Sequence, residues 1–229
     1  MRKLLASVAA LIALAGFASS VAAQTAVTGS AAAGEKKAAM CIGCHSIPGY
    51  QSSFPEVHKV PMIAGQGAKY IQSALNAYRA GDRKHPTMKA IAASLTDQDI
   101  ADLAAFYEAL PTDKTALPDT PTQQPSAEVA ELLKKGNCVS CHGPNFSKPI
   151  DGAYPKLAGQ HSDYLYVALK AYQTQNNPQV GRSNPVMGGM ASGFTHAQLK
   201  LLANYIGSLD SDLRVVQQSR FKANETHVK

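Results

Sequence analysis

Cys41-Ile42-Gly43-Cys44-His45 recurs 97 residues downstream as Cys138-Val139-Ser140-Cys141-His142, and the two stretches use all four cysteines of the chain. Cys-X-X-Cys-His is the pattern of covalent c-type haem attachment. Two thiols are spaced to add to two vinyl groups, and the adjacent histidine reaches the iron from one face. Two covalently attached haem c groups are therefore expected, one held by Cys41, Cys44 and His45, the other by Cys138, Cys141 and His142. Zinc would need four ligands converging on one ion and gives no reason for a histidine after each second cysteine. A thioredoxin-like pair would open a helix within a βαβ unit, and no strand-rich pattern is visible.

Residues 1–23 read as a cleavable signal peptide. Arg2 and Lys3 form the positive start, an apolar stretch runs over 4–17, and Val21-Ala22-Ala23 resembles a cleavage site. The apolar run is short for a membrane span of about 20 residues; an uncleaved anchor is the alternative. No cysteine stands near the cleavage site to take a lipid. Export together with covalent haem attachment points to the bacterial periplasm. The chain has formal charge +6, or +4 without Arg2 and Lys3. The four propionates of two haems would bring that near zero. With no basic stripe carrying interleaved aromatics, nucleic acid is excluded as a partner.

The repeat extends past the cysteines. Pro61-Met62-Ile63-Ala64-Gly65-Gln66 falls on Pro155-Lys156-Leu157-Ala158-Gly159-Gln160 at an offset of 94, and Tyr70 and Tyr78 fall on Tyr164 and Tyr172. Pro86-Thr87-Met88 falls on Pro185-Val186-Met187 at an offset of 99, so the second copy has five extra residues, within 173–184. Between the copies stands a segment with Pro111, Pro118, Pro121 and Pro125. The expected organisation is a first domain at 24–110, a Pro-rich semi-extended linker at 111–126, a second domain at 127–210 and a tail at 211–229 that is solvated or frayed.

The fold class is all-α. Thr96 and Asp99 predict a capped helix whose buried face carries Ile100, Leu103, Tyr107 and Leu110, stopped by Pro111. Thr195 and Gln198 repeat the cap ahead of Leu199, Leu202, Ile206 and Leu209. A second helix in each copy carries Ile71, Ala74, Leu75 and Tyr78, or Leu165, Ala168, Leu169 and Tyr172. Short helices lead into each haem motif, at 31–40 and 127–135. Domains this small bury little apolar surface by themselves, so haem is expected to supply much of the core.

The second axial position decides what a haem does: methionine suits electron transfer, an open site suits ligand or oxygen chemistry. Met88 and Met187 are repeat equivalents, each two residues after a proline and eight before the capping threonine. Met40 and Met62 have no methionine counterpart. The expected iron ligands are therefore His45 with Met88 and His142 with Met187, the methionines arriving on loops. Met190 is the rival in the second domain, but it aligns with the apolar Ile91. His85 reads as a surface or haem-edge residue; His58, His161, His196 and His227 read as solvated.

With these residues in hand, the chain resembles the cytochrome c4 family of di-haem, class I cytochromes c. The resemblance covers the whole mature chain: haem motif, Pro-X-X-Ala-Gly-Gln segment, Pro-X-Met segment and final helix, all doubled. It implies that the Pro61 and Pro155 carbonyls accept a hydrogen bond from His45 and His142. It implies crosswise packing of the first and last helices of each domain, with Gly34 meeting Phe106. It also implies two domains packed about a pseudo-twofold axis with their haem propionates close. Arg79, Arg83, Lys84 and Arg182 are candidates to neutralise propionates.

The expected function is a soluble electron carrier, not an enzyme, with no small-molecule substrate. Its donor would be a quinol-oxidising complex and its acceptor a terminal oxidase or reductase; a peripheral membrane contact is weakly supported, since no strong amphipathic face occurs. The alternatives are a di-haem redox enzyme, peroxidase-like or thiosulfate-oxidising, and a cytochrome subunit of a dehydrogenase complex.

Overall fold

The computed structural model describes residues 27–111 and 116–218. The expected signal peptide lies outside the described residues. The first domain runs α1 (Ala31–Lys37), α2 (Ala39–His45), β1 (Gln51–Ser52), β2 (His58–Lys59), α3 (Ala68–Ala80), β3 (Arg83–Lys84), α4 (Pro86–Ala93) and α5 (Asp97–Ala109). The second runs α6 (Ala127–Lys135), α7 (Val139–His142), α8 (Ser162–Gln173), β4 (Gly181–Arg182), α9 (Pro185–Ser192) and α10 (His196–Gly207). The four strands have two residues each, too short for alternation to show in sequence.

The expected caps form. The Thr96 hydroxyl accepts from Asp99 N–H (3.1 Å) while Thr96 N–H donates to the Asp99 carboxylate (3.0 Å). Thr195 and Gln198 repeat this at 3.3 and 3.0 Å. Both satisfy donors that the helix itself leaves unpaired. The predicted faces are inward: Ile100, Leu103 and Tyr107 in α5, and Leu199, Leu202 and Ile206 in α10, are buried. The cores differ in detail. Ile42, Ile71, Leu103 and Phe106 join in the first domain. In the second, Phe146 takes part in a cluster with Val129, Leu165, Ala203 and Ile206.

In the first domain α1 crosses α5 at Gly34, whose missing side chain lets it lie against Phe106 and the Asp102 carbonyl. The Asp102 carboxylate closes the crossing, accepting from Ser30 N–H (2.7 Å), the Lys37 ammonium (2.6 Å) and the Gln98 amide (2.9 Å). Lys37 first, then Ser30 and Gln98, hold its carboxyl below the usual range. The position equivalent to Asp102 in the second domain is Leu201, so this dependence belongs to one domain. A depressed folded-state pKa contributes stability above the unfolded value, about 3.9, and loses it as pH falls through the folded value. Asp102→Asn is thus expected to lower the first domain's thermal midpoint at pH 7, and the gap from wild type should close on acidification below about pH 4. Melts followed by circular dichroism across pH test this; a gap of constant size would count against it.

The linker and tail are both tied down. Over its described part, the Pro118 carbonyl accepts from the Asn145 amide (2.6 Å), Asp119 pairs with Lys148 (2.6 Å) and the Gln123 carbonyl accepts from the Tyr205 hydroxyl (3.1 Å). The tail departs from the expectation of a solvated end. Leu213 is 2% exposed, Arg214 N–H donates to the Ala64 carbonyl (3.0 Å), and Val216 packs on the first domain's core. Asp212 pairs with Lys156 (2.5 Å). The physical reason is that Val216 finds apolar surface on the other domain, which no local pattern announces. Residues 219–229, including His227, lie outside the described residues.

Candidate functional site

Each haem motif is helical. In α2 the wholly buried Ile42 anchors the turn, and Cys41 and Cys44 beside it stay partly exposed. In the second domain Cys138 caps α7, which carries Cys141 and ends at His142. Before haem is attached, burial pushes the Cys41 and Cys138 thiols up.

His45 Nδ1 lies 2.8 Å from the Pro61 carbonyl, and His142 Nδ1 lies 3.2 Å from the Pro155 carbonyl. A carbonyl only accepts, so Nδ1 carries the proton and Nε2 keeps its lone pair for a metal. Burial lowers the pKa of both rings, favouring the neutral form that ligates.

Met88 and Met187 are half-buried in the first turns of α4 and α9, not on loops as expected. Pro86 and Pro185 occupy the first helical positions, where a missing N–H costs nothing. Asn184 caps α9 by accepting from Met187 N–H (3.0 Å), and the His85 ring does the same for Met88 (3.4 Å). His85, expected at the surface or haem edge, is half-buried and serves as a helix cap. Met190 is 45% exposed, one turn beyond Met187.

The domains meet through equivalent residues, as a twofold relation requires. β3 pairs antiparallel with β4, setting Arg83 opposite Arg182. Arg83 donates to the Tyr70 (3.1 Å) and Tyr164 (2.6 Å) hydroxyls and lies 4.6 Å over the Tyr78 ring. Arg182 donates to Tyr164 (3.2 Å) and lies 5.3 Å over the Tyr172 ring. Buried Gln66 and Gln160 reach across in the same reciprocal way. The Gln66 amide bonds both backbone groups of Lys156, and the Gln160 amide both those of Met62. His58 is buried, bonded to the Glu56 carbonyl (2.8 Å) and stacked on Tyr164, which corrects its reading as solvated.

The repeated Gln and Tyr pairs carry no role legible in the sequence. Their equivalence in two diverging copies was the available signal. Of the candidate propionate partners, Arg79 pairs with Asp97 (2.5 Å) and Lys84 donates to the Asn177 carbonyl (2.7 Å). Only Arg83 and Arg182 converge.

This donor set fits haem. Among the described residues no group of three or more His, Cys, Asp or Glu converges to hold a bare ion, which sets zinc aside. The Arg83–Arg182 cluster is short of negative charge. Buried Arg83 Nε has no partner. Burial pushes the Tyr164 phenol up, yet Arg83 and Arg182 outweigh it and bring it down to about 8. Carboxylates there, such as propionates, would satisfy both features.

Residues 31–110 and 126–210 each match the cytochrome c family. The chain is 31% identical to cytochrome c4 of Azotobacter vinelandii over 79% of its length and 90% of that protein. It is 30% identical to a thiosulfate dehydrogenase electron acceptor of Stutzerimonas stutzeri, over 77% of its length and 82% of that protein. Reduced recombinant cytochrome c4 from Pseudomonas stutzeri superposes with a TM-score of 0.57 at 25% identity, covering 80% of this chain and all of that one.

Proposed function

This chain belongs to the cytochrome c4 family, carrying two covalently attached haem c groups for electron transfer, and we propose that it is a periplasmic carrier rather than an enzyme. The observation that carries this reading is the doubling of one donor set: two thiols, a proline-bound histidine and a half-buried methionine in equivalent positions of both domains. Haem supplies a one-electron couple. The chain's own residues decide its use. Cys41, Cys44, Cys138 and Cys141 tether it, and the Pro61 and Pro155 carbonyls orient the imidazoles of His45 and His142. Met88 and Met187 would hold each iron on the side away from the histidine, the position that oxygen or peroxide chemistry would need open.

The donor in this reading is a quinol-oxidising complex and the acceptor a terminal oxidase or reductase, each met through a small transient interface. The signal-like residues 1–23 support export, and among the described residues no helix is long and apolar enough to cross a membrane. An anaerobic reductive titration tests the carrier reading. It should take up one electron per haem, and carbon monoxide or peroxide should leave the low-spin spectrum unchanged. A spectral response to either would move the chain to the enzymes. Similarity to the thiosulfate dehydrogenase electron acceptor favours a second reading, a dedicated acceptor for one dehydrogenase. A complex with a dehydrogenase that survives gel filtration would support it.

A further inference from the structure

We propose that each domain's buried glutamine is a positioning residue for the other domain's axial histidine, Gln160 for His45 and Gln66 for His142. The inference rests on the reading that these histidines hold the irons. Pro61 C=O and Met62 N–H are two ends of one peptide group. Its oxygen accepts from His45 Nδ1 at 2.8 Å, and its N–H donates to Gln160 Oε1 at 2.9 Å. The same arrangement joins His142 Nδ1, the Pro155–Lys156 peptide and Gln66 Oε1, at 3.2 and 2.9 Å. A continuous hydrogen-bonded chain thus runs from each histidine ring, through one peptide, into the partner domain.

A peptide is a resonance unit, so an acceptor on its N–H raises the negative charge on its oxygen. Such chains strengthen each bond by about 10–30%. A better acceptor at Pro61 O makes the His45 imidazole a stronger donor to iron, and fixes its plane. Every polar atom of the glutamine side chain is committed at this contact. Gln160 Nε2 donates to the Met62 carbonyl (2.8 Å), so one amide clasps both sides of the residue. The second lone pair of Oε1 is taken by His161 N–H (3.0 Å). Gln66 does likewise with the Lys156 carbonyl (3.0 Å) and Gly67 N–H (3.0 Å).

With exposures of 3% and 4%, water is not positioned to replace either side chain. The preceding Gly65 and Gly159, at φ +86° and +66°, turn the chain into the interface. Their N–H groups bond the Tyr107 (2.8 Å) and Ile206 (3.0 Å) carbonyls, anchoring each clasp to its own final helix.

The signature is crossed: a substitution in one domain should shift the other domain's haem. In the holoprotein, Gln160→Leu removes the acceptor on Met62 N–H, weakens the His45 bond and favours ferrous iron. The midpoint of the His45 haem should rise by about threefold in the redox ratio, about 28 mV at 59 mV per decade. The His142 haem should stay in place. Gln66→Leu should do the reverse. Spectroelectrochemical titration measures both midpoints, with the haems assigned by their paramagnetically shifted methyl resonances. Equal shifts of both haems, a shift confined to the mutated domain, or no shift would overturn the proposal. Gln160→Glu keeps an acceptor on Met62 N–H, so the His45 haem's midpoint should not rise; a rise matching that of the leucine variant would also overturn it. A wild-type protein without two histidine-ligated low-spin haems would overturn this proposal and the reading beneath it together. Two intact haems without the crossed pattern would overturn this one alone.

Discussion

Gly34→Val is expected to destabilise the first domain by at least about 3 kcal/mol, the upper end of ordinary overpacking. A Cβ at Gly34 would stand 2.1 Å from the Asp102 carbonyl oxygen and 2.7 Å from the Phe106 Cβ. Neither obstacle can turn aside, because one is helix backbone and the other is the first atom of a buried side chain. α1 must therefore lift from α5, and the Asp102 contacts to Ser30 and Lys37 go with it. For a domain of this size each kcal/mol moves the melting midpoint by roughly 4–8 °C, so a fall of at least about 12 °C is expected. α6 and α10 should melt as before, since Val129 and Leu132 there meet α10 with full side chains. Thermal melts of the holoprotein measure this; a midpoint within a few degrees of wild type would show that α1 does not need the close approach.

Met88→Ala and Met187→Ala are each expected to remove half of the far-red methionine-to-iron charge-transfer intensity, and the double variant all of it. Each single variant should also gain carbon monoxide binding at one haem, because the side chain proposed to close that position is gone. Met187 is half-buried and Met190 is 45% exposed, and on that difference we propose Met187 as the ligand of the second domain. Met190→Ala should leave the band intact. If Met190→Ala removes it and Met187→Ala does not, the assignment of the second domain is wrong, and Met88 stands or falls separately.

Where the sequence was legible, it was because the cause was local or doubled. A thiol pair followed by histidine has few other uses. A threonine three residues ahead of an acid or amide caps a helix by contacts within one turn, and Ile100, Leu103 and Tyr107 share a face by helical period alone. The placement of methionine on a short helix was missed because Pro-X-Met was read as a loop. Proline at the first helical position is equally compatible with a helix start. The strands were missed because two residues carry no period. His58 and the tail were misread as solvated because their partners, Tyr164 and Ala64, lie more than 100 residues away in sequence.

By itself the sequence determined the chemistry: two covalent haem sites, two helical domains in tandem, the capped final helices and the equivalence of Met88 and Met187. These follow from covalent spacing, helical period and repetition, which act over a few residues. Only the tertiary structure decided how the domains face each other. Arg83 against Arg182, Gln66 on Lys156 and Gln160 on Met62 are bonds between residues 90 to 99 apart, made by single polar side chains with no period of their own. Their value comes from burial, which removes water as a competing partner, and burial is a property of the assembled pair of domains.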